Sequence, residues 1–198
     1  MRLGVFGGTF DPPHVGHLLA AVDAFEALSL DKLIFVPVAS QPLKASAPAS
    51  APARDRLEMV RSAIGDDPRF EVSAAEIERG GLSYTVDTLE ALNLEQPGAT
   101  LFLILGMDAF GTLDRWKSPG RVKELATIAV LSRAETGREA EIGSMHGVTL
   151  IGMRRIDVSS SEIRGRIRDG RPIRGFVADS VENYIATAGL YRPEPGSR

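Results

Sequence analysis

The chain of 198 residues contains no cysteine. That excludes disulfides, a thiolate nucleophile and cysteine-ligated metal centres. Histidine is almost as scarce, with three residues, at 14, 17 and 146. A zinc site built on His14 and His17 would need a further protein ligand. No cysteine and no nearby carboxylate pair supplies one, so no metal ligands are assigned. No stretch approaches the roughly eighteen apolar residues of a membrane span, so no membrane partner is expected. A strand-like pattern already begins at residue 2, leaving no room for a leader peptide. Basic charge is not in excess either, with 23 basic against 26 acidic residues and a net charge of −3, so no nucleic-acid partner is expected. The densest basic stretch, Arg164 to Arg174, reads for the most part as a solvated helix face. What remains is a cytoplasmic protein handling small molecules, folded as a single domain over residues 1–198. The sequence leaves the oligomeric state open, a homo-oligomer included.

What is present alternates. Leu3 to Phe6, Leu33 to Val38, Phe70 to Val72, Thr100 to Leu105, Thr127 to Leu131 and Val148 to Ile151 read as short apolar strands. Helical spacing separates several of them, through Leu18, Leu19 and Val22, through Leu57, Val60 and Ile64, and through Val86, Leu89 and Leu92. Strand–helix–strand order implies right-handed crossovers and a parallel sheet clad by helices. The expected fold class is α/β: a Rossmann-like, doubly wound parallel sheet with helices on both faces and a small helical portion over about 159–190. Ligands of such sheets bind beyond the carboxyl ends of the strands, near the reversal of strand order. Residues 39–53, rich in alanine, proline and serine, interrupt the rhythm and read as a mobile loop with one cation, Lys44. Lys44 suits transient phosphate contact or is a plain surface lysine. Ala134 to His146 reads as a surface excursion with His146 exposed.

The first seventeen residues concentrate the chemistry. Gly7-Gly8 removes two side chains where the chain turns, so a ligand can approach the backbone. Pro12 and Pro13 fix the chain before a helix opens at Val15. A glycine-rich turn from strand into helix presents N–H groups and a positive helix end, an anion site suited to phosphate. His14 and His17 stand three apart at the mouth of that helix, on one face. One histidine there would be unremarkable. Two at this spacing, after a Gly-Gly turn, point to phosphate chemistry.

Asp157 to Arg164 reads as a second loop-to-helix start. Ser159 and Glu162 fit a capping box, which leaves Ser160 and Ser161 to offer hydroxyls and amides at another positive helix end. Arg164 falls one turn further on, within reach of a bound phosphate. Gly170 closes that helix, and Val177 to Ala188 forms a last one ended by Gly189. Gly106-Met107-Asp108 follows a buried strand. The glycine admits a ligand, and the carboxylate suits two ribose hydroxyls or caps a helix.

His14-Val15-Gly16-His17, preceded by Gly7-Gly8-Thr9-Phe10-Asp11-Pro12, resembles the H-x-G-H signature of the nucleotidyltransferase superfamily. That signature specifies a reaction type, not a substrate. Three further segments, Gly80 to Leu89, Gly106 to Trp116 and Val158 to Arg164, extend the likeness over nearly the whole chain. Together they resemble the bacterial nicotinate-nucleotide adenylyltransferase family, which makes deamido-NAD and pyrophosphate from ATP and nicotinate mononucleotide.

The resemblance implies a catalytic set of His14, His17, Lys44 and Arg164. It implies ATP contacts from Gly7, Gly8, Thr9 and Phe10, from the two histidines, from Gly106 and Asp108, and from Ser160, Ser161 and Arg164. It implies nicotinate mononucleotide contacts from Gly8, Lys44, Tyr84, Thr85, Trp116 and Arg133, with Trp116 stacked on the pyridine ring and the Tyr84-Thr85 region meeting its carboxylate. Mg²⁺ is expected to arrive on ATP with few protein ligands. Three positions depart from the family pattern. The usual Pro-His-Lys is Pro42-Leu43-Lys44, the residue after the tryptophan is Lys117 where an aromatic is common, and Ser161 replaces a threonine. The alternatives are a sibling transfer (to pantetheine phosphate, or of a cytidylyl group) and a nucleotide sensor without turnover. The siblings lack the Tyr84-Thr85 and Trp116 segments in this arrangement.

Overall fold

Strands that are apolar on both faces can be buried only between two layers, and the chain supplies those layers from the helices that join the strands. A computed structural model describes residues 1–42, 49–132, 145, 147–154 and 156–193. In chain order it contains β1 (Arg2–Gly8), α1 (Val15–Ala27), β2 (Lys32–Pro37), α2 (Ala53–Ile64), β3 (Phe70–Val72), α3 (Ala75–Arg79) and α4 (Thr85–Glu95). There follow β4 (Thr100–Gly106), α5 (Met107–Phe110), a 3₁₀ turn (Leu113–Arg115), α6 (Pro119–Leu125), β5 (Ala126–Ser132), β6 (Val148–Gly152), α7 (Ser160–Arg168) and α8 (Asp179–Ala188).

The strands form one sheet in the order β3-β2-β1-β4-β5-β6, every pairing parallel. Strand order therefore reverses between β1 and β4. Their carboxyl ends, at Gly8 and Gly106, open onto the edge where doubly wound sheets bind ligands. The expected fold class is the observed one.

Alternation along the strands sorts the core. Leu3, Val5, Leu101, Leu103 and Leu105 face one side with Val86, Leu89 and Leu92 of α4 and Val122 of α6. Phe6, Leu33, Phe35, Phe102 and Ile104 face the other, against Ala20, Ala21 and Ala24 of α1 and Val60 of α2. A third cluster joins Met59 of α2 to Ile163 of α7 and to Val181 and Ile185 of α8. The C-terminal helices thus pack on the outer side of α2.

Every expected strand forms, within two residues at its ends. The short elements α3, α6 and the 3₁₀ turn have no counterpart in the sequence reading, and α5 only the helix start weighed at Asp108, because three to seven residues make too few turns for a periodicity to show. Pro119, at the first position of α6, is the one local start signal among them. Residues 39–53 also differ from the expectation of a segment with little to bury, since Ala51 is 3% exposed and belongs to the third cluster. No described helix is long and apolar enough to cross a membrane.

Ile104, fully buried at the centre of the sheet, measures how closely the second face is packed. Ile104→Ala should lower the unfolding free energy by about 2–5 kcal/mol, read from urea midpoints at unchanged m-value.

Candidate active site

Between β1 and α1 the chain runs from Thr9 to His14 over the carboxyl edge of the sheet. Phe10 adopts a left-handed φ of 49° and turns its ring inward, edge-on to Phe6 at 5.8 Å and to His17 at 5.0 Å. A Cβ on Gly8 would lie 2.8 Å from that ring, so Gly8 has a packing reason of its own beside the one assigned from the turn. At Gly7 an added Cβ would meet only the Val36 carbonyl, at 4.0 Å, and the backbone there is open to an approaching group.

The two histidines are arranged by the start of α1. His14 is its N-cap residue, 7% exposed, in extended backbone. The His14 amide donates to Nδ1 of His17 at 3.2 Å, which makes Nδ1 an acceptor and puts the neutral ring's proton on Nε2. The rings overlap with centroids 3.7 Å apart. Gly16 permits this overlap, because a Cβ there would stand 3.0 Å from Nδ1 of His14. His17 is the half-buried member of the pair and lines a cleft of about 600 Å³, while the buried His14 is not among its lining residues.

Of the residues expected at a phosphate site, Thr9, Phe10, His17, Ser160, Ser161 and Arg164 line this cleft. Ser159 caps α7 as expected, accepting the Glu162 amide at 3.2 Å. The Ser160 hydroxyl is engaged, donating to the Pro12 carbonyl at 2.8 Å. Arg164 donates to the Asp11 carbonyl at 2.7 Å and to the Ser161 hydroxyl at 3.2 Å. Its side chain remains 22% exposed on the cleft wall.

Three residues that sequence reasoning did not single out organise the cleft: Asp11, Arg56 and Tyr191. The Asp11 carboxylate is 4% exposed. It accepts the Ser50 amide at 2.7 Å, the Ala51 amide at 3.0 Å and the Tyr191 hydroxyl at 2.8 Å, and it lies 3.8 Å from Arg164. Arg56 is 1% exposed and donates to three carbonyls: Thr9 at 2.7 Å, Ala39 at 3.1 Å and Ala51 at 3.2 Å. Burial lowers the pKa of its guanidinium, and Asp11 and then Tyr191 oppose that shift. A signal for Arg56 existed, since it lies four residues before Val60 and so puts a charge on the apolar stripe of α2. Tyr191 carried no such local signal. With two guanidinium groups to one carboxylate among its described lining residues, the cleft favours an anion.

The other expected residues that the structure describes do not line this cleft. Tyr84 is the N-cap of α4 and Thr85 its first residue. Trp116 packs half-buried on the first core cluster and donates through its indole N–H to Thr112 at 3.2 Å. Lys117 pairs with Asp87 at 2.8 Å, its ammonium 4.7 Å from the centre of the Tyr84 ring. Gly106 is the N-cap of α5, and Asp108 is exposed in the first turn, so the carboxylate is not a cap. Ser83 accepts the Ala39 amide at 2.9 Å and donates its own amide to Ser40, fastening the start of α4 to the chain leaving β2. Leu43, Lys44, Arg133 and His146 lie outside the described residues.

A family model described as cytidylyltransferase-like matches residues 5–166. A protein of Gemmatimonas aurantiaca named "Probable nicotinate-nucleotide adenylyltransferase" is 49% identical over 201 residues, covering 98% of this chain and 94% of that protein. A Thermus thermophilus protein of the same name is 44% identical over 192 residues, covering 97% of this chain and all of that one. Among solved structures, Plasmodium falciparum nicotinic acid mononucleotide adenylyltransferase complexed with NaAD superposes with a TM-score of 0.76 over 96% of this chain and 97% of that one. At 17% identity that likeness speaks for the fold.

The tyrosines around the network give a pH signature. Tyr184 of α8 donates to Asp55 of α2 at 2.8 Å. Withdrawal from water, then that bond, pushes its phenol up to about 12. Tyr191 shifts the same way, through burial first and Asp11 second. Unfolded phenols ionise near 10, so above that pH the unfolded chain loses protons that the folded one keeps. Stability from these groups is complete below about pH 10 and drains as the pH climbs towards 12. Denaturation midpoints should fall over that range, and Tyr184→Phe should flatten the fall.

Proposed function

This chain belongs to the nicotinate-nucleotide adenylyltransferase family, and we propose on that footing that it transfers the adenylyl group of ATP to nicotinate mononucleotide in the cleft between the β1–α1 loop and α7. The products are deamido-NAD and pyrophosphate, a step of NAD biosynthesis that we place in the cytosol. The observation that carries the reading is the convergence of His17 and Arg164, brought from opposite ends of the chain, on one anion-favouring cleft at the carboxyl edge of β1.

The nucleophile, a phosphate monoester, is already anionic at neutral pH and needs no general base. One of its oxygens attacks the α-phosphorus of ATP. The bond from that phosphorus to the α–β bridging oxygen breaks, and pyrophosphate leaves with the electron pair. No covalent intermediate with the protein forms, so position and charge stabilisation supply the catalysis. His17, with its proton on Nε2, donates to the oxygens at the α-phosphorus as charge moves towards the leaving group. His14 holds that ring in place through its amide and its overlapping ring.

Arg164 and the exposed start of α7, at Ser160 and Ser161, take the β- and γ-phosphates. Backbone amides from Gly7 to Phe10 face the triphosphate, and Gly106 and Asp108 serve the adenosine ribose. Lys44 closes over the phosphates from the 39–53 segment. Tyr84, Thr85, Trp116 and Arg133, with Gly8, receive nicotinate mononucleotide. Mg²⁺ comes as part of the ATP substrate. The cleft carboxylate, Asp11, is already committed to two amides and a phenol, so triphosphate oxygens and water are left to hold the ion.

Pyrophosphate release should be measured with ATP plus nicotinate mononucleotide, its amide counterpart or phosphopantetheine. The acid mononucleotide should be the preferred acceptor. Preference for phosphopantetheine would move the chain to a sibling reaction, and silence with all three would make it a sensor. His17→Ala should lower kcat by about 10²–10³ while the chain still folds cooperatively, and normal turnover would refute the role given to His17.

A further inference from the structure

We infer that Tyr191 is a positioning residue for the phosphate cleft: its hydroxyl orients the Asp11 carboxylate, which fastens Ser50 and Ala51 and keeps Arg164 turned inward. The inference rests on the reading that ATP phosphates occupy this cleft.

Tyr191 does not line the cleft. It lies two residues past Gly189, the left-handed residue that ends α8. It is itself left-handed, with φ 63°, a conformation that an aromatic residue adopts only when its surroundings hold it there. The turn carries the phenol back across the third core cluster, against which the ring packs, to Oδ1 of Asp11 at 2.8 Å. Burial raises the phenol's pKa, so it remains a donor throughout the neutral range.

A buried tyrosine needs some acceptor, and any carbonyl would serve. The acceptor here is the group that joins both walls of the cleft. On one side Asp11 holds the amides of Ser50 and Ala51, where the 39–53 segment returns to α2. On the other its carbonyl accepts Arg164, whose guanidinium also stands 3.8 Å from the carboxylate. Among the described residues, Oδ1 accepts from two donors, Tyr191 and Ala51. Without the phenol it keeps one, and the carboxylate is held less firmly about its last bond, which loosens the Ser50 and Ala51 anchors and the Arg164 pairing. The C-terminal segment would therefore act on ATP binding without touching ATP.

Tyr191→Phe retains the ring and deletes the hydroxyl. In the full chain the KM for ATP should rise about tenfold, as befits the loss of one hydrogen bond to a charged group, with kcat changed by less than about twofold. Hydrogen exchange at the Ser50 and Ala51 amides should quicken, a reading that needs no turnover and so stands apart from failure of the ATP assignment. In an Asp11→Asn background the same substitution should add little further effect, because its path runs through Asp11. A lower thermal midpoint with unchanged KM and unchanged amide protection, simple additivity with Asp11→Asn, or a variant that does not fold at all would each make Tyr191 a structural wedge and overturn the inference.

Discussion

The Asp11 carboxylate is almost wholly withdrawn from water, and a buried anion is tolerated only where donors replace the lost hydration. Two backbone amides and a phenol supply that replacement, with the Arg164 guanidinium 3.8 Å away. These partners come from the segment leading into α2, from the C-terminal end and from α7. Arg56 extends the arrangement by holding the carbonyls of Thr9, Ala39 and Ala51. The β1–α1 loop, the ends of the 39–53 segment and the C-terminal helices are thereby set relative to one another before any ligand arrives. A site whose task is to bring two polyanions together gains most from walls that need not reorganise on binding.

The sheet does a different part of the work. Its reversal between β1 and β4 opens an edge at which Gly7, Gly8 and Gly106 end their strands. Above that edge the start of α1 sets the histidines by steric and hydrogen-bond constraints that are entirely local. Gly16 leaves room for the His14 ring, the His14 amide occupies Nδ1 of His17, and Phe10 lies edge-on to the His17 ring. The cleft then forms where this rigid corner meets α7. α7 and α8 share a core with the outer side of α2, and α7 is tied to the β1–α1 loop by Arg164 on the Asp11 carbonyl and Ser160 on the Pro12 carbonyl, so packing and these bonds together place Arg164 opposite His17.

The local code of the chain was legible to a considerable depth. Six apolar runs announced six strands, most plainly the four central ones, because a strand buried on both faces has no polar positions to confuse the pattern. The paired histidines and the Ser159 cap were likewise readable, since each is made by residues within four positions of one another, whereas the turn expected at Gly7-Gly8 comes after them, at Thr9 and Phe10, with both glycines still paired in β1. The short elements between α4 and β5 escaped because they contain too few turns. Ala51 escaped because an alanine in an alanine- and proline-rich stretch looks the same whether buried or not.

Sequence alone therefore determined the strand and helix order and the local build of the β1–α1 corner, which depend on short-range spacing. Tertiary structure decided which distant groups complete it. Asp11 and Tyr191 are 180 positions apart, and Asp11 and Arg164 are 153 apart. No periodicity relates such pairs. Whether a carboxylate or guanidinium is solvated or buried depends on what the rest of the chain lays over it, and that is settled only when α2, α7 and α8 close on their shared core.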